Sequence, residues 1–178
     1  MELRNILLSI ILLCLLYTPN ANAGDKSYGI RAGWQRSVFT IDGERTDPLS
    51  SFYLGIFKEN KLAPLLHYGL GIEYMQCGGT LDYIPDQMEY KIGYLGIPVY
   101  LKANAGPVFG VAGSGINFKI SEDNPGNDDT NMIDVPVYAG IGIKFLMFSI
   151  EARYHFGLIE VQDMLKNQYL QIGVGIRF

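Results

Sequence analysis

From Tyr169 to Phe178 the chain places an apolar side chain at every second position. Leu170, Ile172, Val174, Ile176 and Phe178 form one row, and Gln171, Gly173, Gly175 and Arg177 form the other. Period-two alternation marks a strand whose two faces meet different surroundings. The second row is too small and too charged to build a hydrophobic core, so in water this strand would be inside out. It suits a barrel strand whose outer face meets lipid and whose inner face meets a polar lumen.

The same parity recurs upstream. Tyr28, Ile30, Ala32 and Trp34 alternate with Gly29, Arg31, Gly33 and Gln35, and Phe52, Leu54 and Ile56 with Tyr53, Gly55 and Phe57. Tyr68, Leu70, Ile72 and Tyr74 alternate with His67, Gly69, Gly71 and Glu73, and Leu95, Ile97, Val99 and Leu101 with Tyr94, Gly96, Pro98, Tyr100 and Lys102. Val135, Val137, Ala139, Ile141, Ile143 and Phe145 oppose Tyr138, Gly140, Gly142 and Lys144. Phe148, Ile150, Ala152, Tyr154 and Phe156 oppose Ser149, Glu151, Arg153, His155 and Gly157. Residues 106–119 are small and apolar throughout, which predicts a strand without fixing its faces. With the terminal stretch, eight strands are expected.

The links between these strands alternate in length. Those at 38–50, 78–91, 120–134 and 159–168 are long, and those at 58–64, 103–105 and 146–147 are short. Membrane barrels have an even strand number, short periplasmic turns and longer outer loops, whereas a soluble β-sandwich has no reason to sort links by parity. With odd strands running outward, Tyr28, Tyr68, Phe145, Phe148 and Phe178 gather at the periplasmic rim. Trp34, Phe52, Tyr74, Tyr154 and Phe156 gather at the outer rim, giving two aromatic girdles. The expected fold is all-β: an eight-stranded antiparallel up-and-down transmembrane β-barrel.

The amino-terminal segment follows another pattern. Arg4 precedes an almost wholly apolar run from Ile6 to Leu16, and Ala21-Asn22-Ala23 offers the small residues of a cleavage site. This predicts a signal peptide over 1–23 and a barrel domain over 24–178. As a helix the run reaches only roughly 16 Å, about half a bilayer core. Cys14 follows Leu13 rather than the small residue a lipidation site requires, so no lipid anchor is expected. Cys77 is then the only cysteine of the barrel, which excludes an internal disulfide and a thiolate metal cluster. The 21 glycines, 12 tyrosines and 9 phenylalanines accompany no second apolar run long enough for a helical span. A membrane protein without membrane helices must close its backbone hydrogen bonds as a barrel. The net charge of −4 argues against a nucleic-acid partner.

Eight strands enclose a lumen that side chains can fill, so no open diffusion pore is expected. Arg31, Glu73, Lys102, Lys144, Glu151, Arg153 and Arg177 fall on the lumenal row. Enclosed charges must pair or stay hydrated, and Glu73 and Glu151 are expected to bridge to Arg153 and Arg31 as a stabilising plug. Ser149, Glu151, Arg153 and His155 share one face and invite a hydrolase reading. One strand separates such residues by about 6.7 Å per two-residue step, however, too far for a proton relay. No catalytic residue, cofactor or metal site is assigned, and two histidines in the whole chain make a transition-metal centre improbable. The long links are acidic, from Asp42, Glu44 and Asp47 to Glu160 and Asp163, against Arg45, Lys91 and Lys166. Residues 121–134 offer oxygen ligands for Ca²⁺ but lack the spacing of a calcium loop, so a solvated acidic loop is the reading.

Several segments resemble the PorT-like outer-membrane β-barrel family. They are Gly29-Ile-Arg-Ala-Gly33, Phe52-Tyr-Leu-Gly-Ile-Phe57, Tyr68-Gly-Leu-Gly-Ile-Glu-Tyr74, Leu95-Gly-Ile-Pro-Val-Tyr-Leu-Lys102, Gly106-Pro107 and Glu151-Ala-Arg-Tyr-His-Phe-Gly157. The resemblance covers nearly all of the chain after the leader. It implies an eight-stranded barrel with a signal peptide, no enzyme, and for some members a part in protein secretion or gliding; no functional residue is implied. The function expected is that of a small, non-enzymatic protein of the Gram-negative outer membrane. It acts as an envelope structural or interaction component through its acidic loops, with lipid, barrel-assembly machinery and other envelope proteins as partners. The row Leu170, Ile172, Val174, Ile176 and Phe178 is expected to serve as the assembly signal. The alternatives are a soluble secreted lipocalin-like barrel, with an apolar interior, and a lipid-modifying barrel enzyme.

Overall fold

The computed structural model describes residues 26–41, 44–83, 86–123, 131–162 and 165–178. The expected signal peptide lies outside them. Eight long strands follow in order: β1 (Lys26–Ile41), β2 (Asp47–Ala63), β3 (Leu66–Tyr83), β4 (Asp86–Ala105), β5 (Val108–Asp123), β6 (Pro136–Phe145), β7 (Phe148–Gln162) and β8 (Leu165–Arg177). Each pairs antiparallel with its sequence neighbours, and β8 returns to β1 in a register running from Gly29↔Arg177 to Ile41↔Leu165. The sheet is therefore closed, and the pairing edge that an open sheet would leave is gone. Two-residue ladders, Glu44–Arg45 on β1 and Ile133–Asp134 on β5, extend the rim.

One end of the barrel is built from tight turns. Ala63 pairs with Leu66, Ala105 with Val108 and Phe145 with Phe148, leaving two-residue connections. The right-handed twist of hairpin strands favours turns with positive φ. Gly106 adopts +64° at no cost, followed by Pro107, whose fixed φ suits the second position; Leu146 takes +54° with a side chain.

At the opposite end the strands run further than expected. The links read over 38–50 and 78–91 are largely ladder: β1 reaches Ile41 before β2 begins at Asp47, and β3 reaches Tyr83 before β4 begins at Asp86. Crossing a bilayer takes about 9–11 residues of tilted strand. β4 has 20 and β3 has 18, so the hairpins continue beyond the lipid. There the apolar–polar alternation that reveals a strand disappears from the sequence while the backbone ladder persists. The short link read over 58–64 is likewise mostly strand, with the turn confined to Pro64 and Leu65. Within β5 the undecided faces are now fixed: Phe109, Val111 and Asn117 point inward, and Val108, Ala112, Ile116 and Ile120 outward.

Burial is inverted relative to a soluble protein. Ile141 on the outer wall is 70 % exposed and Arg153 inside is 0 % exposed. A hydrocarbon surround favours that outer wall and water does not. This excludes the lipocalin-like alternative, whose interior is apolar. Tyrosines do much of the filling: Tyr53, Tyr94, Tyr100, Tyr138 and Tyr169 are all buried in the lumen. Glycines on the same inner wall make room for them. A Cβ on Gly69 would overlap the Tyr100 ring, and one on Gly173 would overlap Tyr53.

Candidate functional site

Most of the lumenal charges form one connected lattice that begins near the middle of the barrel. Glu73 on β3 meets Arg153 of β7 at 3.3 Å and Arg31 of β1 at 3.8 Å. Glu151 on β7 meets the same two guanidinium groups at 3.2 Å and 3.4 Å. The remaining capacity of Glu73 is taken by Gln171 Nε2 at 2.9 Å, which also donates to Gln35 Oε1 at 2.9 Å. Gln35 in turn donates to the carbonyl of Gln76 at 2.9 Å and to Cys77 Sγ at 3.2 Å. Cys77 is wholly buried, which leaves it a packing residue.

The lattice continues toward the turn end through a residue that the sequence pattern had placed in a link. Arg31 Nη2 donates to the Tyr100 hydroxyl at 3.2 Å, and that hydroxyl donates to Glu59 Oε1 at 3.1 Å. Glu59 also receives Lys102 Nζ at 2.9 Å and stands 3.7 Å from Arg177 Nη1. The lumen thus holds three carboxylates on the lattice rather than two. Parity was the available signal, since Tyr53, Gly55, Phe57 and Glu59 continue a single inward row. Lys144 sits apart from the carboxylates and donates to Asn104 Oδ1 at 3.0 Å, whose amide nitrogen lies 2.8 Å from His67 Nδ1.

Aromatic faces supply the rest of the cation environment. The Arg31 guanidinium lies 4.5 Å from the Phe57 ring centre, Arg153 lies 5.4 Å from that of Tyr53, and Lys102 Nζ lies 4.1 Å from that of Phe109. Such contacts stabilise a desolvated cation by about 2 kcal/mol. A wall of tyrosine rings and paired carboxylates therefore replaces the water that these cations would otherwise hold.

Nearer the outer end, Asp134 turns inward, 1 % exposed, where Asn117 Nδ2 and Asn167 Nδ2 reach its Oδ2 at 3.2 Å and 3.5 Å. The solvated loop expected over 121–134 does not extend to Asp134, because pairing of Ile133–Asp134 with β5 draws it in. The acidic stretch 124–130 lies outside the described residues. His155 stacks between Tyr138 at 4.5 Å and Tyr169 at 4.2 Å. Ser149 stands six residues away on the same strand, about 20 Å along it, so the two cannot share a proton. Among the described residues no group of three His, Cys, Asp or Glu side chains is placed to hold a metal ion.

The terminal strand presents Leu170, Ile172, Val174 and Ile176 outward, and Phe178 is 76 % exposed. Its backbone exchanges two hydrogen bonds with Tyr28, at 2.9 Å and 3.1 Å, making Phe178 the last rung of barrel closure.

Solved structures share this architecture. Neisserial surface protein A superposes with a TM-score of 0.62 at 15 % identity, covering 85 % of this chain and 97 % of that one. Ail, the attachment invasion locus protein of Yersinia pestis, superposes in its complex with the heparin analogue sucrose octasulfate with a TM-score of 0.56 at 16 % identity, covering 86 % and 99 %. The outer membrane protein Ail in a phospholipid bilayer nanodisc gives 0.53 at 15 % identity, covering 86 % and 99 %. No family model and no curated protein sequence matches the chain. The chain has the fold of the eight-stranded outer-membrane β-barrels.

Proposed function

We propose that this barrel spans the Gram-negative outer membrane as a non-enzymatic envelope component of PorT-like kind, acting through the acidic rim at its outer end. The observation that carries this reading is the inversion of its walls: aliphatic side chains cover the outside, and the inside is closed by ion pairs and tyrosine rings. A lumen filled in this way favours a rigid pedestal over a channel. The connected lattice of Arg31, Glu73, Lys102, Glu151, Arg153 and Arg177 then serves to hold the cylinder's shape, with Lys144 at its turn end. The Leu170, Ile172, Val174, Ile176 and Phe178 row serves barrel-assembly machinery during insertion.

The rim selects among partners. Ail has been solved with a heparin analogue, a polyanion; the acidic links of this chain disfavour one. Proteins of the envelope, including secretion assemblies of the sort the PorT-like resemblance implies, are the partners this account favours. Crosslinking in intact envelopes followed by affinity purification tests the reading. A reproducible neighbour that disappears when the acidic links are neutralised supports it, and a chain recovered from the soluble periplasmic fraction contradicts it.

A further inference from the structure

One cation interrupts the apolar outer wall near the far end of β1. The outward row of that strand runs Tyr28, Ile30, Ala32, Trp34, Arg36 and Val38, with Arg36 exposed. Arg36 stands opposite Ser50 on β2 and Leu170 on β8. It borders a groove of about 360 Å³ with Thr46, Pro48, Tyr154, Gln168 and Leu170. The polar edge of that groove is held in place, because the Tyr154 hydroxyl donates to Gln168 Oε1 at 3.0 Å.

Height along the barrel decides what this groove meets. Tyr28 marks the turn-end girdle, and eight residues at about 3.4 Å each, tilted roughly 40°, raise Arg36 about 21 Å above it. The apolar belt of such barrels is about 25 Å tall, so a long side chain at this level reaches the headgroup layer by snorkelling. A planar guanidinium there matches a phosphate through two parallel hydrogen bonds. Level with it and below it, Leu170 and Ile172 continue the outer wall on β8 as a surface for acyl chain. Charge and apolar floor are thus ordered as in a lipid, with the anion above and hydrocarbon beneath.

We propose that the Arg36 groove is a binding site for the phosphate headgroup of an anionic membrane lipid. Arg36 takes the phosphate, Tyr154 and Gln168 line its polar side, and Leu170 and Ile172 flank the lipid's upper carbons.

Trp34 is the only tryptophan of the chain and lies two residues from Arg36 on the same face, which makes it a built-in reporter. The full barrel is refolded into bilayers containing dibrominated phosphatidylglycerol or dibrominated phosphatidylcholine, and quenching of Trp34 fluorescence is compared. The site predicts about fivefold preferential association of the anionic lipid, the size expected for one basic side chain at an anionic surface. Arg36→Gln removes the preference, and Arg36→Lys keeps part of it as a point charge without the fork. Equal quenching by both lipids in the wild-type barrel, or an undiminished preference in Arg36→Gln, overturns the site while leaving the membrane reading intact. Absence of quenching by either lipid overturns both. The wild-type comparison stands on its own should the glutamine variant fail to insert.

Discussion

Arg153 on β7 and Glu73 on β3 meet at 3.3 Å across the lumen, although 80 positions separate them in the chain. In a ring of eight strands, β3 and β7 are four apart and so face each other. Their contact braces the cylinder across its width, where ladder hydrogen bonds run only around its circumference.

Removing one partner of this brace is therefore costly. Glu73→Ala leaves two buried guanidinium groups with Glu151 as their shared carboxylate, and we expect a loss of about 3–5 kcal/mol of unfolding free energy. Urea titration of the refolded barrel in lipid reads it. Replacing both residues, Glu73→Met with Arg153→Met, should lose less than the two single changes summed, because no charge is left stranded.

Gly69 and Tyr100 form a second such dependency. A side chain at Gly69 would occupy the space of the Tyr100 ring, whose hydroxyl links Arg31 to Glu59. Gly69→Val should destabilise by about 1–3 kcal/mol through overpacking. Adding Tyr100→Ala should recover little, since it removes that link; a full recovery in the urea midpoint would show that the hydroxyl contributes nothing.

Leu146 holds a positive φ of 54° in a two-residue turn. A side chain there costs roughly 1–2 kcal/mol relative to glycine, part of which is offset by the greater freedom of glycine in the unfolded chain. Leu146→Gly is expected to raise stability by about 0.5–1 kcal/mol with an unchanged denaturant slope. A lowered midpoint would mean that Leu146 is held by its apolar contacts instead.

Deleting Phe178 removes the two hydrogen bonds that tie the chain end to Tyr28 and the last member of the outward row. We expect slower insertion in a reconstituted assembly assay, scored as the fraction migrating in the heat-modifiable folded form. An unchanged rate would assign barrel closure to the remaining rungs alone.

Much of this was legible in the residue pattern because a membrane wall imposes one rule on every spanning residue. Ile150 faces out and Glu151 faces in for the same reason that Ile30 and Arg31 do, and parity carried the fold. Above the lipid the rule lapses, so the ladder beyond Ser37 and Cys77 left no periodic trace and read as loop. Glu59 was hidden by its neighbours Lys58, Asn60 and Lys61, whose polarity imitates a turn. Asp134 was hidden by distance, since only its pairing with Asn117 and Asn167, far off in sequence, draws it inside. Which acid meets which base depends on barrel stagger, and alternation within a single strand contains no information about that.

One parity of every strand touches lipid and the other a closed interior. Spin labels placed singly from Ile150 to Phe156 on β7, in bilayers, test it by their relative accessibility to oxygen and to a polar nickel chelate. Strict alternation is expected, with oxygen dominant at Ile150, Ala152, Tyr154 and Phe156 and neither reagent reaching Glu151, Arg153 or His155. Alternation of the opposite sign, or none, would contradict it.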